Sequence, residues 1–372
     1  MSPTPERRPD APHPRRHSLG TGEVLTIDLG SFVPEAGDTP LPLTVAYRHD
    51  GPGPNAPQVL VIHALTGSAD AAGDWWQPLI GPGRALDTNE VGVLCANLIG
   101  SRYGSTGPTS INRETGRPWG DDLPHLSARD EARALWLLAG ALGIDQFALV
   151  TGGSLGGMVA LEVALARPEG VAHVAPIAAP AATGGLAIAW NHIQLELLDR
   201  LGEDGLDLAR ELAMTTYRSE ADFDTRFGRD REVDGRFSVA SYLDHQGQKL
   251  VARFDAETYR VLVRVMDGHD IGRDRGGIPA ALRHLGRSGS GSGLTGVGIE
   301  GDILYGPGQV QALVDTAASV GVDAGYREIR SPKGHDAFLT EWDQLGRLLS
   351  EALADGIGRQ ATRPAEVTVG VA

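Results

Sequence analysis

A serine flanked by glycines lies at a strand-to-helix junction that could hold a nucleophile. Residues 147–151 form an apolar run typical of a buried strand, and Gly152-x-Ser154-x-Gly156 follows, ahead of a helical pattern. This is the pattern of a nucleophile elbow, in which the serine occupies a strained turn and the glycines let strand and helix pack closely. The pattern predicts Ser154 as a catalytic nucleophile; a Gly-rich turn with an incidental serine is the alternative.

A serine hydroxyl needs a base, and the base needs an orienting carboxylate. After such an elbow, the acid and then the histidine follow along the chain. His335 comes after the last apolar run and before a C-terminal helical pattern, and Asp302 follows the preceding apolar run. We predict His335 as the base and Asp302 as the acid, with Glu300 as the competing acid. Taken singly, His335 could be a surface loop residue and Asp302 a helix cap.

Two backbone N–H groups would have to stabilise the negative charge that develops when the serine attacks a carbonyl. One is expected from Leu155, directly after the serine, and the other from Leu65, in the loop after an earlier strand. His63 lies at the end of that strand. A structural hydrogen bond is the commoner role for a histidine in this position, so we do not include His63 in the triad.

These residues require a sheet whose strand ends meet at one edge. From residue 24, short apolar runs alternate with longer helical patterns, which is typical of a mostly parallel sheet with helices on both faces. Strands are predicted at 43–47, 58–64, 91–97, 147–151, 171–177, 296–300 and 325–329. The predicted fold class is therefore α/β.

The strand patterns stop between residues 181 and 293. Helices are predicted there at 186–201, 206–217 and 238–266, and the Ser-Gly alternation at 287–293 is interpreted as a flexible return. A helical block inserted between two strands is typical of a cap over an active site. We assign 23–180 and 295–358 to the α/β core, 181–294 to the cap, 1–22 to a disordered extension and 359–372 to a frayed C-terminus.

Composition excludes several classes of function. The chain has 372 residues, and its 33 Lys and Arg against 48 Asp and Glu give a formal net charge of -15. Such a field repels nucleic acid and anionic membrane surfaces. The single cysteine, Cys95, excludes a disulfide framework and a multi-Cys zinc site. No apolar run is long enough to span a bilayer and no export-type segment is found, so we expect a cytoplasmic protein with no bound metal.

A set of short motifs between residues 24 and 355 resembles the homoserine O-acetyltransferases, acyltransferases of methionine biosynthesis with the α/β-hydrolase fold. The motifs are His63-Ala64-Leu65-Thr66-Gly67, Trp75-Trp76, Ile80-Gly81-Pro82-Gly83, Gly104-Ser105-Thr106-Gly107-Pro108-Thr109-Ser110, Gly152-Gly153-Ser154-Leu155-Gly156-Gly157-Met158, Thr216-Tyr217-Arg218, Ser241-Tyr242-Leu243, Gln246-Gly247, His269-Asp270-Ile271-Gly272-Arg273 and Gly334-His335-Asp336.

The resemblance implies an α/β-hydrolase fold with an inserted helical cap, and it implies a reaction. An acetyl group would pass from acetyl-CoA, a co-substrate, through a Ser154 acyl-enzyme to the γ-hydroxyl of L-homoserine, in ping-pong order with no permanently bound cofactor. Arg218 and Asp336 would bind the carboxylate and ammonium groups of the amino acid, and Tyr242 would line the pocket. Without the resemblance, these three would be a helix-surface arginine, a capping aspartate and a core tyrosine. The cap would also join two copies into a homodimer.

Departures from the family pattern leave donor and acceptor open. Ser101-Arg102-Tyr103 replaces the usual Gly-Gly-Cys, and Arg102 adds a cation that could favour a carboxylated acyl group such as succinyl. The alternatives are a homoserine or serine O-succinyltransferase and a plain serine esterase or thioesterase, in which water replaces the amino acid. A non-catalytic scaffold is disfavoured because Ser154, Asp302 and His335 are all present.

Overall fold

The computed structural model describes residues 22–37, 39–287 and 291–362. Its strands are β1 (Val24–Phe32), β2 (Leu41–Asp50), β3 (Gln58–Ile62), β4 (Ile80–Gly81), β5 (Leu86–Asp87), β6 (Gly92–Ala96), β7 (Ile111–Asn112), β8 (Arg117–Pro118), β9 (Phe147–Gly153), β10 (Val171–Ile177), β11 (Gly293–Ile299) and β12 (Ala324–Ile329). Eight of them form one sheet in the order β1-β2-β6-β3-β9-β10-β11-β12, while β4-β5 and β7-β8 form two small pairs.

The α-helices of the described residues alternate with these strands or lie in one long insertion. They are α1 (Ala128–Ala141), α2 (Leu155–Ala166), α3 (Gly185–Leu201), α4 (Leu206–Tyr217), α5 (Glu220–Arg226), α6 (Ser238–Val251), α7 (Ala256–Asp267), α8 (Ile278–Arg287), α9 (Pro307–Ser319) and α10 (Trp342–Thr362). Short 3-10 turns lie at Gly120–Asp122, Pro168–Gly170, Gly202–Gly205 and Gly334–Leu339.

The large sheet is mostly parallel and is covered on both faces. Only β2 runs against its neighbours, β1 and β6. Alternate residues of β3 join different hydrophobic clusters: Leu60 packs in the cluster that contains Met158 of α2, and Val61 in the cluster that contains Leu349 of α10. Because successive side chains of a strand point to opposite faces, both faces carry helices. The predicted α/β class is confirmed.

Six helices of the described residues, α3 to α8, lie between β10 and β11. They fall in the predicted cap, 181–294, which is called the cap below; its role as a cover over a site stays a prediction. The single helix predicted at 238–266 is wrong, because this segment forms two helices, α6 and α7. Asp255 separates them: its carboxylate accepts a hydrogen bond from the N–H of Thr258 at 2.8 Å and caps the start of α7. An aspartate side chain competes for backbone donors inside a helix, so it favours a new helix start.

Parts of the predicted termini and of the return from the cap lie outside the described residues. These parts are 1–21, 288–290 and 363–372. The C-terminal boundary was placed too early, since α10 continues to Thr362 and the Arg359 side chain forms an ion pair with Asp323. Among the described helices, none combines the length and the apolar character that crossing a bilayer requires.

Candidate active site

Ser154 lies in the tight turn between β9 and α2. Its backbone has φ 57° and ψ -124°, a left-handed φ that residues with a side chain rarely adopt. Its N–H donates to the carbonyl oxygen of Ile177 on β10 at 2.9 Å, which anchors the turn to the neighbouring strand. Such backbone strain costs roughly 1–3 kcal/mol and is typical of functional sites.

Two glycines allow β9, α2 and β3 to approach this closely. A Cβ atom on Gly152 would lie 2.4 Å from the carbonyl oxygen of Ile62, and a Cβ atom on Gly156 would lie 2.2 Å from the same oxygen. Both distances are impossible for real atoms, so any other residue would force the strand and the helix apart. The steric role predicted for these glycines is confirmed.

Asp302 and His335 meet at the same edge of the sheet. Asp302 follows β11, and His335 lies in the 3-10 turn after β12. The Nδ1 atom of His335 donates to Oδ2 of Asp302 at 2.6 Å, and both side chains are buried. The second oxygen, Oδ1, accepts from the N–H groups of Leu304 and Tyr305 at 2.9 and 3.0 Å. Glu300, the competing acid, is exposed to solvent, so the geometry favours Asp302.

The pKa of His335 results from opposing effects. Burial lowers it, but the charge of Asp302, the hydrogen bond to Asp302 and the charge of Asp336 raise it, and the pKa lies above the ordinary value of a histidine. The other ring nitrogen, Nε2, is buried and has no hydrogen-bond partner among the described residues. Ser154 Oγ does not donate to it here, so the structure joins two members of the predicted triad and the role of Ser154 stays a prediction.

Three aromatic rings hold the imidazole of His335. The ring centroids of Tyr217, Tyr305 and Phe338 lie 5.7, 5.6 and 5.7 Å from that of His335. Tyr217 belongs to the cap and the other two to the core, so the histidine is clamped between both parts of the molecule. Local sequence does not predict this clamp, although Tyr217 stands beside Arg218 in one of the motifs that carry the resemblance.

The two predicted oxyanion-hole residues have free backbone donors. Neither the N–H of Leu65, after β3, nor that of Leu155, at the start of α2, has an acceptor within the described residues. The peptide between Ala64 and Leu65 is held on its other side, because the Ala64 carbonyl accepts from Nδ1 of His63 at 2.7 Å and from the N–H of Gly67 at 2.9 Å. The C=O and N–H of a trans peptide point in opposite directions, so these bonds fix the direction of the Leu65 N–H. The structural role expected for His63 agrees with these contacts.

Arg218 and Asp336 lie beside one another next to His335. The Nε atom of Arg218 is 3.5 Å from Oδ2 of Asp336, and Nη1 is 3.6 Å from Oδ2 of Asp222. Arg218 Nε is buried and lacks a hydrogen-bond partner in the described part of the chain. Asp222, four residues beyond Arg218 in the cap, is a neighbour that the sequence analysis did not identify.

The loop of His335 packs directly on the cap at Arg218 and Ser219. A Cβ atom on Gly334 would lie 2.7 Å from the backbone nitrogen of Ser219, and Gly334 has φ 69°. The Ser219 hydroxyl donates to the carbonyl of Pro332. These contacts place Arg218 of the cap beside the loop that carries His335.

Tyr242 packs in an aromatic cluster with Phe223 and Phe227. Its ring packs at centroid distances of 6.5 and 4.9 Å from Phe223 and Phe227, and the guanidinium of Arg226 lies 4.7 Å from its centroid. Arg226 reaches Asp222 at 3.5 Å, so Tyr242 is linked to Arg218 only indirectly. Its buried hydroxyl has no partner in the described residues. A role for Tyr242 in substrate binding stays a prediction.

Arg102 does not support a carboxylated acyl donor. Its guanidinium forms an ion pair with Asp255, the cap of α7, at 3.0 Å. The charge that was expected to favour a succinyl group is therefore neutralised by the protein itself. No group of three or more His, Cys, Asp or Glu side chains within the described residues is arranged to hold a metal ion.

Comparison with known proteins agrees with this geometry. Residues 57–264 match the family model of the alpha/beta hydrolase fold. A homoserine O-acetyltransferase of Carboxydothermus hydrogenoformans is 38% identical over 380 residues, which cover 93% of this chain and 98% of that protein.

Two solved structures show how widely the fold is shared. A homoserine O-acetyltransferase from Bacillus anthracis superposes with a TM-score of 0.81 at 22% identity, covering 89% of this chain and 97% of that one. An acetylester hydrolase from Corynebacterium glutamicum superposes with a TM-score of 0.76 at 20% identity, covering 90% and 96%. At these identities the two structures support the fold and do not choose between transfer and hydrolysis.

Proposed function

Because the chain belongs to the alpha/beta hydrolase fold and, within it, to the homoserine O-acetyltransferase family, we propose that it transfers an acetyl group from acetyl-CoA to the γ-hydroxyl of L-homoserine. Such a transfer is a step toward methionine. The observation that carries the proposal is the pair of Arg218 and Asp336 beside His335. An esterase for neutral substrates has no need of this pair.

In the first half-reaction, His335 Nε2 removes the proton of Ser154 Oγ as the oxygen attacks the thioester carbonyl. The Leu65 and Leu155 N–H groups stabilise the oxyanion that forms. Asp302 holds the ring with Nδ1 as its donor and stabilises the imidazolium. The C–S bond then breaks, the thiolate takes the proton from Nε2, and CoA leaves an acetyl ester on Ser154.

In the second half-reaction, the roles repeat with the amino acid as nucleophile. His335 takes the proton of the homoserine hydroxyl, whose oxygen attacks the acetyl ester, and returns it to Ser154 Oγ when the ester bond breaks. A zwitterion presents a carboxylate and an ammonium group at fixed separation. Arg218 would bind the carboxylate, and Asp336 would bind the ammonium group.

The test is release of free CoA from acetyl-CoA and from succinyl-CoA, each with L-homoserine, L-serine or no acceptor, and identification of the product by mass. We expect rapid release from acetyl-CoA that depends on homoserine. Ser154→Ala should abolish covalent labelling of the protein by the acyl donor. Equal release without an amino acid would contradict the proposal and indicate a thioesterase.

Arg218 provides a separate check on the acceptor. Arg218→Ala should impair transfer to homoserine at least tenfold while leaving acylation of Ser154 almost unchanged, because the residue would bind only the amino acid. Glu220→Ala, two residues away in the cap, is the control. An equal loss in both half-reactions would show that Arg218 is structural.

A plain esterase is the second candidate, since an acetylester hydrolase shares the fold. The reaction without an acceptor distinguishes it.

A homodimer formed through the cap agrees with the exposed apolar side chains of Leu186, Ile193 and Leu201 on α3. Sedimentation at micromolar concentration tests it, and a monomer mass would contradict it. The cytoplasmic location stays a prediction.

A further inference from the structure

A cavity of about 600 Å³ opens beside the loop that carries Leu65. On the core side it is lined by Ala64, Thr66 and Gly67, and on the cap side by Arg210, Lys249 and Arg253. These three cations have no role in the proposed mechanism. They belong to α4, to α6 and to the turn after α6, so the cavity lies where the cap faces the core.

The cations of the cavity lack acidic partners. Within the described residues, no carboxylate lies within ion-pair distance of Arg210, Lys249 or Arg253. Two aspartates also line the cavity, but Asp70 is paired with Arg48 at 2.6 Å, which leaves only Asp74. A local excess of positive charge in a chain with a net charge of -15 indicates an anionic ligand.

Tyr103 adds an aromatic wall to the cavity. It has φ 72°, a left-handed backbone that a tyrosine adopts only under strain, and its hydroxyl donates to the carbonyl of Arg253 at 2.9 Å. Arg253 in turn donates to the carbonyl of Thr66 at 2.7 Å, next to Leu65. Trp75 lines the same cavity. Aromatic faces and cations together suit a nucleotide, whose base stacks and whose phosphates need positive charge.

A side chain that lines the cavity is connected to His335 through one intervening ring. The guanidinium of Arg210 lies 5.2 Å from the ring centroid of Tyr217, and the ring of Tyr217 packs on that of His335. A ligand whose anionic end occupied the cavity could therefore direct its other end toward the histidine.

We propose that this cavity binds the phosphate groups of the nucleotide part of the acyl donor, through Lys249, Arg210 and Arg253. The inference rests on the proposed function, since it assumes that the donor is a CoA thioester. It adds a binding site and the chemistry that this site recognises. Lys249 is the residue to change, because its side chain is exposed on α6.

The experiment compares Lys249→Glu with wild type on two donors, acetyl-CoA and acetyl-pantetheine, which carries the same thioester without the nucleotide. We expect the KM for acetyl-CoA to rise about tenfold and the KM for acetyl-pantetheine to stay unchanged, because only acetyl-CoA has phosphate groups that Lys249 would bind. The kcat at saturating donor should be unchanged. High salt should raise the wild-type KM for acetyl-CoA and narrow the difference between the two proteins.

Arg347→Glu is the matched control, since Arg347 is an exposed cation on α10 and the substitution changes the net charge equally. An unchanged KM for acetyl-CoA in Lys249→Glu, or an equal rise for both donors, would overturn the cavity assignment and leave the transferase standing. Failure of wild type to use either donor would instead overturn the proposed function.

Discussion

Two buried histidines follow strands of the same sheet, yet their surroundings give them opposite chemistry. His63, after β3, is 0% exposed, and both ring nitrogens are occupied: Nδ1 donates to the Ala64 carbonyl at 2.7 Å, and Nε2 accepts from the N–H of Leu98 at 3.0 Å. His335, after β12, is 3% exposed, but only Nδ1 is occupied, by Asp302. Its Nε2 has no partner within the described residues.

The pKa values of these histidines shift in opposite directions. Burial lowers the pKa of His63 to about 4, against a smaller opposing effect of its backbone hydrogen bond, so the ring is neutral at physiological pH. Burial also lowers the pKa of His335, but Asp302 and Asp336 raise it more. Burial alone therefore does not decide whether a histidine can act as a base. A facing carboxylate and a free nitrogen decide it.

Asp302→Asn should have the largest effect on the rate, because it removes the carboxylate that faces His335 and that His63 lacks. Loss of the carboxylate charge lowers the pKa of His335 and allows the wrong tautomer, so we expect acyl transfer to fall by about 10⁴-fold, the size seen when a triad aspartate becomes asparagine. Activity needs neutral His335, so the rate should rise with pH through a pKa above 6.5 in wild type. In the variant, this rise should move to lower pH.

The measurement is the pH dependence of Ser154 acylation under single-turnover conditions. Asparagine keeps Oδ1, which can still accept from the Leu304 and Tyr305 N–H groups, so folding should survive. Glu300→Gln is the matched control, since Glu300 is exposed on the same loop. If Glu300→Gln lost more activity than Asp302→Asn, the assignment of the acid would be wrong.

The sequence predicted the inner strands well because both of their faces are buried and their residues form continuous apolar runs. The strand predicted at 171–177 agrees with β10, and all five residues of β3 lie within the predicted 58–64. A search for continuous apolar runs misses β1, in which Leu25, Ile27 and Leu29 alternate with exposed Thr26 and Asp28. The break between α6 and α7 is also missed, because apolar residues stand on both sides of Asp255.

At the site, the sequence predicted residues whose local pattern has a steric or chemical reason, such as Gly152 and Gly156. It could not predict contacts that depend on how the cap sits on the core. The approach of Ser219 to Gly334 and the pairing of Arg102 with Asp255 join distant parts of the chain. Local periodicity contains no information on such pairs. The sequence alone therefore suggests a carboxylated acyl group, and not Asp255, as the partner of Arg102.

His63→Ala should have a smaller effect on the rate than the loss of Asp302. It removes one of the two hydrogen bonds that orient the Leu65 N–H, so we expect kcat to fall about 10- to 100-fold, less than the full loss of an oxyanion-hole donor, with little change in KM. The pH dependence of the rate should not move, because His63 remains neutral throughout that range.

His173→Ala is the matched control for this change. His173 is also buried, burial also lowers its pKa to about 4, and its Nε2 lies 2.9 Å from Thr295 Oγ1 on β11. Both variants should lose stability, but only His63→Ala should lose kcat. Equal kcat in the two variants would show that His63 supports folding alone.

The smallest expected effect is on the pH dependence of the free energy of unfolding. Histidines with a lowered pKa and histidines with a raised pKa contribute to it with opposite signs. His63 and His173 have folded pKa values of about 4, below the value of about 6.5 in the unfolded chain, so unfolding takes up protons between these limits. Their contribution to stability is complete above pH 6.5 and is lost as the pH falls toward 4. Each contributes a slope of at most about 1.4 kcal/mol per pH unit.

His335 has the opposite sign: its raised pKa stabilises the fold below pH 6.5, and this contribution is lost as the pH rises through its folded pKa. Urea unfolding between pH 6 and 5 should therefore show a smaller slope in a His63→Ala, His173→Ala double variant than in wild type or in His245→Ala, which replaces an exposed histidine of α6. An unchanged slope in the double variant would mean that these histidines take up protons in the folded state near pH 6.5, and burial would then not have lowered their pKa values below that of His335.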